Sequence, residues 1–307
     1  MAQIYLNPLT DTGFKIIFRK KRNMVALLES ILDRKIEDLD YIDTEVLGVT
    51  IDETNSRFDL AVRFQDGSNC VVEMQRAFLF YFNYRSVFYA SHLVQMQANR
   101  EHDRQFAELK KRGKQTFWNY YFCPVYFVGI LENGWGPMPM KDTEGPVLER
   151  YRLIEKSTGV DMNVEYNFIY LRLDRFCKRE SECETLLDEF AYMFKHTYKE
   201  QKRPESFRDE DIMNVYDDAL LANFTPEIAH ELIISSKMTT ENDWLVAMNE
   251  AEARATKIGF DLGIQQGIQQ GIEAKARQTA INMKSAGIPL DVIASCTGLT
   301  LEQVTAL

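Results

Sequence analysis

The chain has no unbroken apolar run long enough to cross a bilayer, and Met1-Ala2-Gln3 opens no secretion signal. A membrane-spanning protein is thereby excluded, and the cytoplasm is the expected compartment. Cysteine and histidine are scarce. The five cysteines (Cys70, Cys123, Cys177, Cys183, Cys296) include no C-x-x-C pair, and the four histidines show no ligand spacing, which excludes a disulfide scaffold and a zinc cluster. There is also no cationic surplus: 36 Lys and Arg face 46 Asp and Glu, a net charge of -10. That balance excludes a uniformly basic nucleic-acid coat, because phosphate affinity comes from neutralisation by Lys and Arg. Four local clusters stand against it, Arg19 to Arg22, Lys110 to Lys114, Lys178-Arg179 and Lys199 to Arg203. Each reads either as a solvated face or as a phosphate contact. What remains is an ordinary globular composition, 45% hydrophobic and 27% charged over 307 residues, enough for a substantial core.

The most informative stretch is Arg57 to Gln75, RFDLAVRFQDGSNCVVEMQ. Two runs that alternate with period two flank Gln65-Asp66-Gly67, the pattern of a β-hairpin. A three-residue loop with Gly67 in the left-handed position pairs Phe64 with Ser68 and sets Asp59 opposite Glu73. In that register Phe58, Leu60, Val62 and Phe64 share an apolar face with Ser68, Cys70, Val72 and Met74. Arg57, Asp59, Ala61, Arg63, Val71, Glu73 and Gln75 share the other. A two-residue turn would mix polar and apolar on both faces. Facing carboxylates repel unless a cation lies between them, and hard oxygen ligands with room for water suit Mg²⁺ or Mn²⁺. A solvated polar face is the alternative.

These residues carry a resemblance. Asp59, followed across a hairpin by Glu73-Met74-Gln75, resembles the D…(D/E)xK constellation of the PD-(D/E)XK nucleases. More closely, the chain is similar to the PD-(D/E)XK nuclease family transposases, or recombination-promoting nucleases, whose pattern is "DI…dG…IEmQ" followed by "R…yY.s". Here stand Asp59-Leu60, Asp66-Gly67, Val72 to Gln75, Arg85 and Phe88 to Ser91; Asn7-Pro8, Asp11, Phe14-Lys15 and Ile17-Phe18 match the opening motif. The resemblance implies a restriction-endonuclease-like α/β core, a mixed sheet flanked by helices, and Mg²⁺- or Mn²⁺-dependent cleavage of DNA. Asp59 and Glu73 are the implied metal ligands and, with Gln75, the catalytic set. Gln75 departs from the motif, since an amide cannot supply the charge of the usual lysine. Lys15 or Arg85 could do that work if folding brings either near.

Along the chain, Thr10 or Asp11 can cap a helix running to about Leu32. Asp11 reads as that N-cap or, by the resemblance, as a further active-site acid. Glu45 to Ile51 reads as a strand and Asp52 to Asn55 as its turn, so that three strands form a meander. Tyr84 to about Arg112 has helical periodicity and places Arg85 and Tyr89 on one face, as phosphate contacts or as a surface ion pair over a core ring. Phe122 to Leu131 and Tyr166 to Leu173 read as strands, with Glu132 to Ser157 an excursion between them. Ser181 to His196, Asp209 to Asn223 and a segment opening at Pro226 after Thr225 read as helices, with Trp244, Leu245 and Met248 as core. The expected division is a nuclease-like core over 1–180, a helical subdomain over 181–255 and a helical tail over 256–307.

In that tail Gly259, Gly263, Gly267 and Gly271 recur every fourth residue. As a helix the segment costs about 1 kcal/mol per glycine relative to alanine. It is either a frayed linker or a surface that a second copy covers through Gly259 to Ala274. Gly287 and Gly298 then punctuate two short helices with a capping box at Thr300 and Gln303, and the last of them has no Lys or Arg with which to read DNA. Two functions therefore stand at the level of sequence. One is a divalent-metal-dependent DNA endonuclease; the other is a silent DNA-binding or assembly protein on a nuclease scaffold. In the enzyme, loss of Asp59 or Glu73 should abolish cutting while apo stability holds or rises, because either loss relieves repulsion.

Overall fold

The structure, a computed structural model, describes residues 3–42, 59–79, 81–113, 120–135, 145–162 and 165–307, with the side chains of 237–247, 250, 251 and 254 excepted. The expected strand at Glu45 to Ile51, its turn, Arg57 and Phe58 lie outside the described residues. By contacts the chain divides into Met1–Ala247 and Met248–Leu307.

The first unit holds a six-stranded sheet in the order β1 (Leu39–Tyr41), β2 (Leu60–Phe64), β3 (Asn69–Gln75), β4 (Val125–Leu131), β6 (Tyr166–Arg172), β5 (Leu148–Tyr151). β1, β2 and β3 run antiparallel in succession, β3, β4 and β6 run parallel, and β5 closes the far edge antiparallel to β6. The meander's first described strand is thus the short β1, and the expected excursion after β4 contains β5. The hairpin adopts the expected register: Leu60 pairs with Val72 and Val62 with Cys70, the Phe64 N–H donates to the Ser68 carbonyl at 2.9 Å, and Gly67 has φ +86°. At that φ an L side chain is strained, so glycine fixes the turn and the turn fixes the register.

Alternation along the central strands builds two cores. Leu60, Val62, Cys70, Val72, Val128 and Ile130 face α1 (Asp11–Phe18), α2 (Lys21–Leu32), α4 (Leu186–His196) and α5 (Glu210–Asp218) in one cluster. Ala61, Val71, Phe127 and Tyr170 lie in the other, against α3 (Phe82–Lys111). The polar face of the hairpin is therefore covered by α3, and Glu73 is 1% exposed, which overturns the solvated-face reading.

The single helix expected from Asp11 to Leu32 is two. Lys20 leaves the helical region (φ -78°, ψ 117°), and the Asn23 side chain donates to the Ile17 carbonyl at 2.9 Å and to Asp218 at 2.9 Å. Lys20 and Arg22 close on the same buried Asp218 at 2.6 and 2.8 Å. The break is the price of gathering three donors around one carboxylate from a distant helix. Thr10 is the N-cap of α1, its hydroxyl accepting from the Gly13 N–H at 3.1 Å, so Asp11 begins the helix and does not cap it.

α4 carries a buried acid, Glu189, whose Oε2 has no hydrogen-bond partner. Burial, together with the charge of Asp209, pushes its carboxyl up to about 7, against a backbone N–H from Arg208. A folded-state value above the unfolded one means that the native protein holds the extra proton, so this contribution to stability falls as pH rises from the ordinary glutamate range through about 7. Glu189→Gln should therefore raise the melting temperature at about pH 8 and leave it nearly unchanged at about pH 5. Thermal denaturation at both pH values checks this, and an equal shift at the two would refute it.

α6 (Pro226–Ser285) begins after Thr225 as expected. Met248 is 50% exposed and so is not core; the Trp244 and Leu245 side chains lie outside those described. In the second unit α6 continues through all four glycines, and nothing lies within 4 Å of where their Cβ atoms would stand. The segment is helix and not a frayed linker. α7 (Leu290–Thr297) and α8 (Leu301–Ala306) fold back around Ala280, Ile293 and Val304. Thr300 and Gln303 form the reciprocal capping box, which makes this end a packed helical hairpin. Among the described residues no helix is long and apolar enough to cross a membrane.

Candidate active site

The site is built where β2 stops and β3 continues. Beyond Leu60 the β-ladder is taken over by side chains: Asp59 Oδ2 accepts from the Met74 N–H at 2.7 Å, and Glu73 Oε1 accepts from the Asp59 N–H at 3.1 Å. The two carboxylates are neighbours at the end of the ladder, and Glu73 lies against α3. Glu73 Oε2 then accepts from Arg85 at 2.7 Å, and Arg85 also donates to Gln75 Oε1 at 3.3 Å. The Gln75 amide nitrogen donates to the Ala77 carbonyl at 3.1 Å, so both ends of that side chain are held. Tyr89 is buried beneath Arg85, its ring centre 5.3 Å from the guanidinium, to which its hydroxyl also hydrogen-bonds.

A glycine decides where α3 sits. Gly129 on β4 lies opposite Glu73, and a Cβ there would stand 2.9 Å from the Phe82 ring. Phe82 is fully buried at the start of α3, seated on that gap, and one turn later the helix delivers Arg85 to Glu73. Neither Gly129 nor Phe82 was among the sequence-level candidates, yet an isolated glycine inside the apolar run of β4 is the signal of a close approach.

Burial raises the Asp59 carboxyl well above its ordinary value, and the charge of Glu73 raises it further, against the Met74 N–H. The Glu73 carboxyl is also raised by burial, with Arg85 and the Asp59 N–H opposing. Burial works against the Arg85 charge and is the largest single influence on it, but Glu73, Tyr89 and Asp59 together outweigh it and the guanidinium is held above its usual value. Both acids are thus held toward their protonated forms, with which a bound cation would compete. Asp11 and Lys15 on α1 act on both acids electrostatically, Lys15 favouring and Asp11 opposing their charge, and they pair with each other at 2.5 Å. Folding therefore brings Lys15 into electrostatic range of the pair and Arg85 into contact with it.

Among the described residues no three His, Cys, Asp or Glu side chains converge on a metal position, so Asp11 does not join a triad. The donor set nevertheless fits a hard cation that keeps part of its water. It offers two neighbouring carboxylates, one oxygen of each fixed by a backbone N–H. Several side chains of the basic clusters are already paired with carboxylates. Lys20 and Arg22 hold Asp218, Lys21 holds Asp40, Lys178 holds Asp188, Arg179 holds Glu182, Lys202 holds Glu205 and Arg112 holds Glu108.

A family model described as PD-(D/E)XK nuclease family transposase matches residues 8–251. The chain belongs to that family. As a PD-(D/E)XK nuclease family transposase it has the mixed sheet with flanking helices that the resemblance implied, and the helical C-terminal part read from the sequence pattern. The match takes in every candidate residue from Asp11 to Tyr89 and ends before the glycine repeat. No curated protein and no solved structure matches the chain.

Proposed function

We propose that this PD-(D/E)XK family member is a divalent-metal-dependent DNA endonuclease, with Asp59 and Glu73 as the ligands of Mg²⁺ or Mn²⁺. The observation that carries the reading is the buried pair of neighbouring carboxylates, which repels itself unless a proton or a cation is shared. A bound ion would polarise the scissile phosphate and lower the pKa of its water. The protein's part is to hold both oxygens still: the Met74 N–H fixes Asp59, and Arg85 with the Asp59 N–H fixes Glu73. Arg85 takes the place of the motif lysine as the fixed positive charge beside the acids, and Gln75 aims it. Tyr89 supports Arg85 from below, and Lys15, tethered by Asp11, adds a second charge at longer range. Incubation with supercoiled plasmid tests this. Nicked or linear product with Mg²⁺ or Mn²⁺ and none in excess chelator is expected; no product with any divalent ion would leave the silent-scaffold reading.

The tail completes the proposal. Ile264, Ile268 and Ile272 are 46%, 59% and 59% exposed beside the glycine stripe, and two copies packed through Gly259 to Ala274 would bury both surfaces. A symmetric pair would also present two sites to a duplex. Light scattering should show a mass above the monomer for the full chain and the monomer mass for a version ending before Gly259. Equal monomeric masses for both would refute it.

A further inference from the structure

The fold brings Arg63, Asn69, Gln97 and Arg100 to one end of the sheet face that α3 covers. Arg63 and Asn69 are paired across β2 and β3, and Val125, which pairs with Asn69 on β4, belongs to the cluster under α3. Both side chains therefore share the face on which Val71 and Glu73 alternate. α3 starts over Gly129, opposite Glu73, and runs toward the hairpin turn: Arg104 acts on Cys123, whose Sγ lies against Gly67. Gln97 and Arg100, one turn apart and beyond the buried Leu93, thus arrive near the turn, which Arg63 and Asn69 flank.

Two observations say what this end of the face would hold. Asn69 is fully buried and Gln97 is 9% exposed, yet neither the nitrogen nor the oxygen of either amide makes a hydrogen bond among the described residues. Buried amides ordinarily find partners. Arg63, half-buried, is repelled by Arg100 and attracted only by Asp40, its neighbour on β1, which Lys21 holds at 2.9 Å. Glu101, the carboxylate next to Arg100, holds Arg104 at 2.7 Å. Two like charges with amides beside them exclude a cation, and an apolar ligand would leave the amides unpaired. An anion with several acceptor oxygens, a phosphate, suits both the guanidinium forks and the amide N–H groups.

We infer that Arg63 and Arg100, with the Gln97 and Asn69 amides, form a phosphate site that holds the DNA backbone away from the scissile bond. From Asn69 to Glu73 the strand advances about 13 Å, at roughly 3.3 Å per residue. A DNA strand advances about 3.4 Å per nucleotide, so the phosphate held here is about four nucleotides from the one at the carboxylates. This rests on the nuclease reading above and gives it a backbone contact.

The test is fluorescence anisotropy of a labelled duplex of roughly 20 base pairs, titrated with the full-length protein in chelator over a range of salt. Arg63→Gln/Arg100→Gln should weaken binding on the order of 10-fold and lower the slope of log affinity against log salt by about 0.9, the worth of one neutralised phosphate. Arg100→Gln alone, on the exposed side of the helix, should show part of the loss without disturbing the buried face. Arg100→Lys should keep the slope, which a merely structural defect would not do. Inorganic phosphate should raise the melting temperature of the wild type and leave that of the double variant unmoved. Affinity and slope unchanged in folded Arg100→Gln overturn the inference; if phosphate still stabilises the wild type, the site takes free phosphate and the DNA assignment falls. Plasmid cleavage by the wild type, with the variants binding as it does, removes the grip and spares the nuclease reading. A slope that falls in the variants of a protein that cuts nothing in any divalent ion upholds the grip and overturns the nuclease reading.

Discussion

Asp59→Asn is expected to lower metal-dependent plasmid cleavage about a thousandfold or more, because a lost ligand forfeits several kcal/mol of transition-state stabilisation. The amide keeps the shape and an acceptor for the Met74 N–H, so the fold should survive. The metal-free variant should in fact melt above the wild type at about pH 8, since a raised carboxyl is a group whose ionisation destabilises the native state. For such a group, stability is present below the unfolded value and lost as pH rises through the folded one. Divalent metal should reverse this in the wild type, raising its melting temperature more at about pH 8 than at about pH 6. Glu73 is a different case, because two donors depend on its carboxylate. Glu73→Ala strips Arg85 of its carboxylate and the Asp59 N–H of its acceptor, so it should cost about 1–3 kcal/mol as well as activity. Cleavage by folded Asp59→Asn at the wild-type rate would remove the proposed ligand.

The second large effect is expected at Arg85. Arg85→Met should reduce cleavage on the order of 10²- to 10³-fold, the loss associated with one fixed electrostatic contact to developing charge. Arg85→Lys keeps the charge but not the fork that spans Glu73 and Gln75, so it should recover activity only in part. Gln75→Lys in the Arg85→Met background would restore the motif lysine and should recover more. Kinetics across this series checks the assignment, and full activity in Arg85→Met would transfer the role to Lys15.

Much of this site is legible in the amino-acid order alone. The Asp66-Gly67 turn decides which side chains share a face, and with them the pairing of Asp59 with Glu73. The periodicity of α3 puts Arg85 and Tyr89 together. What is not legible depends on contacts distant in sequence. The break after α1 is set by Asp218, 198 residues from Lys20. The polar face of the hairpin reads as wet because nothing local says that α3 will cover it. β5 is a short edge strand with two half-buried and two exposed residues, so it has no apolar pattern to betray it. Gly129 is visible in sequence, but its meaning depends on Phe82 arriving from another element.

The central claim is that Asp59 and Glu73 hold a divalent ion, and calorimetric titration of Mn²⁺ into the chelator-stripped protein tests it most directly. At neutral pH the account predicts a saturable site on each chain that disappears in Asp59→Asn. Equal heats from wild type and Asp59→Asn would contradict it.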